Sequence, residues 1–358
     1  MPSDSKTLAL TTVYLAAQVD EGRMERSKQR APYQLILTGC PGSGKSHLLR
    51  STVEDSANSI PSENVWRTAF HHESTFGDLI GSYKPEPWYI ASNGGNDPAV
   101  LYDTTFTPMD IPQEVRDKFT HKNGNKLQSS TQLVPTTLYN YRPGPLIVAY
   151  ISALLKPQEV HILIIEEINR ANPSHVFGDL IQLLDRHENG SSEYGVSPSP
   201  DLGRFLKSQL GNLYNGEIKF PSNFFIWATM NRADETVSHM DTAFLRRWTL
   251  KYLRSDGRSI HDSKTVAGTD LSWGDFRDKI NTILSSYTYV EADKYIGPYF
   301  LSSQEIEDVD KVFSKLIMYL WHDVLTMDRD SVFRYASIDK LNTAWIQEEE
   351  IFSNALQN

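Results

Sequence analysis

Residues 39 to 46 read Gly39-Cys40-Pro41-Gly42-Ser43-Gly44-Lys45-Ser46, a glycine-rich octet closed by a lysine and a hydroxyl. The pattern G-x-x-x-x-G-K-[ST] is satisfied, and the residue types say why such a loop holds phosphate. Glycines let successive backbone N–H groups turn inward onto anionic oxygens, and a helix starting at Lys45 adds the positive end of its dipole. Lys45 is expected to reach the β and γ phosphates, and Ser46 to place its hydroxyl on Mg²⁺. With His47 at the loop's edge, Gly39, Cys40, Pro41, Gly42, Ser43, Gly44, Lys45, Ser46 and His47 form the expected nucleotide-binding set.

Such a loop needs acids. Val160 to Ile165 is a near-continuous apolar run that ends in Glu166 and Glu167. In a phosphate-loop enzyme the first carboxylate holds the metal through water and the second orients or deprotonates the attacking water. Glu166 therefore joins Ser46 as an expected metal group, although aspartate is usual at that position, and Glu167 is the expected base. A third apolar run, Phe224 to Met230, delivers Asn231, whose amide can hold the lytic water against the γ-phosphate, with Asp234 in the same loop. Arg246 and Arg247 then follow a short helical stretch, Met240 to Leu245. Paired arginines there can serve the helix dipole or neutralise charge on a phosphate in the transition state.

The elements that must position these groups follow from periodicity. Tyr33 to Thr38, Val160 to Ile165 and Phe224 to Met230 read as buried strands, and a helical pattern begins after Ser46. Alternation of strand and helix over residues 33–252 implies an α/β fold with a parallel sheet, which binds ligands at the carboxyl ends of its strands. Two long polar insertions interrupt it, at residues 86–137 and 188–219. From residue 253 the strand signal fades, and Phe313, Leu316, Ile317, Leu320, Trp321, Val324 and Leu325 recur at helical spacing. Residues 6–28 have helical spacing too.

Composition narrows the function classes. A net charge of -10 and a pI of about 5.5 argue against a chain coated in nucleic-acid-binding charge. The single cysteine, Cys40, makes no intrachain disulfide and no zinc site by itself, which fits a reducing compartment. No apolar run is long enough to span a bilayer and no signal-peptide pattern opens the chain, so the expected location is cytoplasmic. His71-His72-Glu73 lacks a second cluster to complete a metal site.

Together, "TGCPGSGKS", "IIEEINRANPSHVFGDLIQLLD" and "MNRADETVSHMDTAFLRRW" resemble the AAA+ superfamily, its dynein-related and MoxR branch, and most closely the McrB-type NTPases of modification-dependent restriction systems. Weaker support comes from "TFGDLIGSYKP", "YNYRPGPLIVAYISALL" and "YIGPYF", and the likeness spans roughly residues 31–335. The resemblance implies an AAA+ P-loop NTPase domain at 31–252, a C-terminal helical lid at 253–358 and an N-terminal helical extension at 1–30. It also implies Asn231 as sensor 1 with Asp234 beside it, and Arg246 or Arg247 as a finger reaching a neighbour in a ring, most often a hexamer. ATP or GTP with Mg²⁺ is the implied ligand. The implied partner is a nuclease or adaptor subunit of an antiviral restriction system, with DNA met indirectly or through the pore. A MoxR-like chaperone and a nucleotide-binding switch of low turnover are the alternatives. Relatives that read DNA often carry a large N-terminal recognition domain, whereas residues 1–30 alone precede the first strand here, so target reading is expected elsewhere. The lid motif often has an arginine before Ile-Gly, but Lys294-Tyr295 stand before Ile296-Gly297, leaving sensor 2 unassigned.

Overall fold

A computed structural model describes residues 31–54, 60–92, 100–102, 132–233 and 240–353. The expected N-terminal helix at 6–28 and the site residue Asp234 lie outside the described residues.

Five strands form a parallel sheet: β1 (Gln34–Gly39), β2 (Val65–Ala69), β6 (His161–Glu166), β7 (Phe224–Met230) and β8 (Thr249–Leu253), in the order β2-β6-β7-β1-β8. Successive side chains on a strand point to opposite faces, and both faces here are covered. Ile36, Leu163, Ile165, Ile226 and Ala228 face one apolar core, and Leu35, Leu37, Ile162, Ile164, Phe225 and Trp227 face the other. That double burial is why the central strands β1, β6 and β7 read as near-continuous apolar runs, whereas the edge strands β2 and β8 are partly exposed and mixed in composition. Helix α1 (Lys45–Glu54) packs Leu49 and Val53 on the second face, while α2 (Phe76–Ile80), α3 (Pro145–Leu155), α4 (Pro173–Phe177), α5 (Pro200–Leu210) and α6 (Thr242–Leu245) contribute to the first.

Both insertions carry structure. β3 (Gly81–Ser92) pairs antiparallel with β5 (Gln132–Pro143) over twelve residue pairs, with β4 (Val100–Tyr102) added at the edge. The first insertion therefore begins and ends as a two-stranded arm, starting before residue 86 and closing after residue 137. The expectation of a second long loop at 188–219 is corrected. That stretch holds α5, whose Leu202, Leu206 and Leu210 are buried, and a bridge between Val196 and Ile218. The i, i+4, i+8 leucine stripe was a legible helix signal, overridden by the surrounding Gly, Ser and Pro. Each buried leucine contributes about 1.5–3 kcal/mol, enough to order the segment.

Beyond β8 the chain is helical and has a separate core. Trp273, Phe276, Ile280 and Leu284 of α7 (Trp273–Ser285) pack with the apolar stripe that begins at Val312 and with Leu341, Ala344 and Trp345 of α8 (Ile338–Ile346). The stripe is buried as its spacing requires, but its turns are wide: Val312–Ile317 and Leu320–Val324 are π-helical, and Leu325 N–H donates to Leu320 O, five residues back, at 2.8 Å. Among the described residues no helix is long and apolar enough to cross a membrane.

Candidate nucleotide and metal site

The phosphate loop connects β1 to α1 at the carboxyl edge of the sheet. Gly42 has φ +73°, and a Cβ there would meet Phe300 N at 2.3 Å, so glycine is required on both conformational and steric grounds. The Lys45 ammonium is buried and folds back on the loop, donating to Gly39 O at 2.8 Å and Cys40 O at 3.1 Å. Burial lowers its pKa, and Cys40, Glu167, Asp293 and Glu166 oppose that shift. Cys40 is buried as well, which pushes its thiol up to about 11 and keeps it protonated at neutral pH. His47 lies on the outside of α1 against the Tyr299 ring, with centroids 5.5 Å apart.

Glu166 is the centre of a hydrogen-bonded cluster. Its Oε2 accepts from Ser46 Oγ at 2.8 Å and from Thr229 Oγ1 at 2.6 Å, and its Oε1 faces Arg67 Nη1 at 3.3 Å. The donor set suits a hard divalent cation. Ser46 gives its proton to Glu166, which leaves the hydroxyl oxygen's lone pairs available to a metal, and the carboxylate can take protons from metal-bound water. Thr229, reached through strand order, was not foreseen from the sequence.

Glu167 follows in a left-handed conformation, φ 53° and ψ 49°, rare for a non-glycine residue and costing about 1–2 kcal/mol. Its N–H donates to Thr229 Oγ1 at 3.1 Å, so one threonine fixes both carboxylates: its hydroxyl proton goes to Glu166 and its oxygen accepts from Glu167. The kink turns the chain out of β6 into the 3₁₀ turn Ile168–Arg170 and then α4, where Asn172 caps His175 N–H at 3.2 Å and Pro173 opens the helix. Asn169, buried in that turn, donates to Asn231 O at 2.7 Å and ties the two acidic and amide loops together. Asn231 Oδ1 accepts from Ala233 N–H at 3.2 Å, and its side-chain nitrogen has no hydrogen-bond partner among the described residues.

The two arginines part company. Arg247 donates from Nε and Nη2 to Asp185, at 3.0 and 2.8 Å, and from Nη1 to Ala243 O at 2.8 Å. Its neighbour Trp248 is buried against Phe177 and Phe244. At the other end of α6, Asp241 caps Phe244 N–H at 2.6 Å and accepts from Ser174, contacts that hold its carboxyl below the usual range. Arg246, between these anchors, is exposed and makes no ion pair with a described residue.

The C-terminal helical region reaches directly onto the phosphate loop. Gly297 N–H donates to Pro41 O at 2.9 Å and Tyr299 N–H to Gly42 O at 2.7 Å. Helix α7 pins this segment from behind: Asn281 donates to Ile296 O and accepts from Ile296 N–H, both at 2.8 Å, and Trp273 Nε1 donates to Pro298 O at 2.9 Å. Asp293 arrives on the same segment; burial pushes its carboxyl up, against the pull of Arg232 and Lys45. Lys294, two residues before Ile296-Gly297, donates to Asp323 O at 3.3 Å within the helical region. A Cβ on Gly297 would lie 2.3 Å from Gly42 C and Ser43 N, both rigid backbone. Gly297→Ala is therefore expected to weaken nucleotide binding roughly tenfold or more, since overpacking costs about 1–3 kcal/mol and falls here on the loop itself. Titration with a fluorescent nucleotide measures this, and parent-like affinity would show that the contact is dispensable.

With this geometry in place, the chain can be set beside known proteins. Residues 34–248 match the model of the AAA domain, dynein-related subfamily. The chain belongs to that family. It is an AAA-type ATPase related to components of restriction systems. It is 37% identical over 327 residues to the "Type II restriction enzyme BsuMI component YdiS" of Bacillus subtilis (strain 168), covering 88% of this chain and 84% of that protein. Against the "Type IV methyl-directed restriction enzyme EcoKMcrB subunit" of Escherichia coli (strain K12) it is 26% identical over 216 residues, 60% of this chain and 34% of that one. The family assignment agrees with the resemblance read from the motifs, and the parallel five-stranded sheet is the fold that resemblance implied.

Proposed function

We propose that this chain hydrolyses ATP or GTP with Mg²⁺ in a ring of identical subunits and thereby drives or gates a nuclease-bearing partner of a DNA restriction system. The observation that carries the reading is the cluster in which Ser46, Thr229 and Glu166 converge beside the buried Lys45. The likeness to two restriction-system components supports the choice of partner class. Net charge of -10 supports contact with DNA through the partner or the pore rather than over the whole surface.

In this mechanism the phosphate loop and Lys45 bind the triphosphate, Lys45 leaving the Gly39 and Cys40 carbonyls for phosphate oxygens. Ser46 and Glu166 would hold Mg²⁺, which would neutralise phosphate charge there. Glu167 takes a proton from the attacking water, and Asn231 orients that water. Arg246 serves the adjacent subunit's nucleotide.

Lys45→Ala is expected to abolish nucleotide binding, because it removes the one ammonium that the loop encloses. Calorimetry with ATP and GTP in parallel tests this and identifies the base; retained affinity would overturn the phosphate-loop assignment. Co-purification from the native host with nucleotide present tests the partner, and recovery of a protein without nuclease chemistry would turn the reading toward the chaperone alternative.

A further inference from the structure

Arg67 lies on the edge strand β2, and its sequence neighbourhood gives no hint of a role. The sheet supplies one. β2 pairs in parallel with β6, Arg67 opposite Ile164 and Ala69 opposite Glu166. Paired residues and their second neighbours share a face, so Arg67 and Glu166 emerge on the same side of the sheet as Ile162 and Ile164. That is the side on which α1 packs and from which Ser46 reaches Glu166. Arg67 Nη1 meets Glu166 Oε1 at 3.3 Å, across 99 residues of chain, with side-chain exposures of 36% and 23%.

An ion pair at a surface is ordinarily worth about 0–1 kcal/mol and calls for no function. This pair differs in its acidic partner. The Glu166 carboxylate is divided: two hydroxyls occupy Oε2, and Arg67 occupies Oε1. Glutamate at a position where aspartate is usual adds one rotatable bond, and Arg67 is the donor that fixes its far oxygen. The same guanidinium puts a permanent positive charge beside the carboxylate that would hold a divalent cation.

We infer that Arg67 is a positioning residue that orients Glu166 before metal binds and, through its charge, raises the Mg²⁺ concentration the site requires. The inference rests on the nucleotide and metal reading above. It makes the chain's metal requirement a tuned property: nucleotide can bind first, and the cation must then compete with a resident guanidinium for one carboxylate oxygen.

The test is a Mg²⁺ titration of fluorescent ATP and GTP analogues bound to the full chain, compared with binding in EDTA, for the parent, Arg67→Gln and Arg67→Lys. Arg67→Gln is expected to lower the half-saturating Mg²⁺ concentration roughly tenfold, the size of change a removed neighbouring unit charge produces at a partly exposed site. Its EDTA binding should change by less than about threefold, because Arg67 contacts the carboxylate and not the phosphate loop. Arg67→Lys keeps the charge and should stay near the parent. If Arg67→Gln is unstable in thermal unfolding, Arg67→Met preserves the stem on the edge strand and carries the same expectation. A half-saturating Mg²⁺ concentration unchanged within about twofold would overturn the inference. So would a collapse of triphosphate binding in EDTA, which would place Arg67 on the nucleotide instead. A parent chain that binds no nucleotide at any Mg²⁺ concentration would sink the underlying nucleotide reading, a result separate from binding that merely ignores Arg67.

Discussion

Glu167→Gln is expected to bind nucleotide as the parent does while turnover falls by about 10²–10⁴-fold, the usual contribution of a positioned general base. The substitution keeps the size of the side chain and leaves the backbone bond to Thr229 Oγ1 in place, so the left-handed kink that aims residue 167 should survive. What is lost is the basic oxygen. The amide cannot accept the proton of the attacking water, whereas Lys45, Ser46 and Glu166 retain everything needed to hold the triphosphate. Phosphate release and equilibrium titration on the same preparation separate the two effects. Hydrolysis at the parent rate would move the base role to another group, and loss of binding would mean that Glu167 chiefly balances the charge of Lys45.

The second large effect concerns Arg246. Its loss is expected to lower turnover by about 10³–10⁵-fold with nucleotide binding retained, as for arginines that neutralise charge on a phosphate in the transition state. The local structure explains why this residue, rather than its neighbour, is put forward for the task. Arg247 is spent within its own subunit on Asp185 and Ala243, and Trp248 is sealed among aromatic rings, so the segment is anchored on both sides of an exposed guanidinium. Arg247→Ala should therefore act mainly on stability, by about 1.5–3 kcal/mol for lost hydrogen bonds to a charged group, and appear as a lower unfolding midpoint. The decisive experiment mixes Arg246→Ala with Glu167→Gln, each expected to be inactive alone. In a mixed ring an intact Glu167 in one subunit meets an intact Arg246 from the next, and activity should return with a dependence on the mixing ratio. Silence in mixtures shown to contain mixed rings would return Arg246 to a surface or helix-capping role.

The difference between these two arginines shows where sequence reading stops. From the motif, Arg246 and Arg247 were equivalent. Their separation depends on Asp185, which lies 62 residues earlier and meets Arg247 because the turn after α4 folds against α6. Likewise, the leucine stripe of α5 was present in the sequence but hidden by its glycine- and proline-rich surroundings, and burial against α3 and the arm strand β5 decided in its favour.

The places of the glycine-rich loop between β1 and α1, of Glu166-Glu167 after β6 and of Asn231 after β7 were determined by the sequence itself, for a local physical reason. A glycine-rich turn between a buried strand and a helix has few conformations that leave its N–H groups inward, and residues at the end of a doubly buried strand must emerge at the sheet's carboxyl edge. Tertiary structure alone decided what surrounds them. Thr229 bridges both glutamates, Arg67 pairs with Glu166, and Gly297 and Tyr299 bond the loop itself. Each of these contacts joins segments that are distant in the chain, and each exists because the strands lie in the order β2-β6-β7-β1-β8 and the C-terminal region turns back onto the loop after β1. Hydrophobic periodicity specifies which face of an element is buried, but not which element will lie beside it; that choice is made by the packing of all the faces at once.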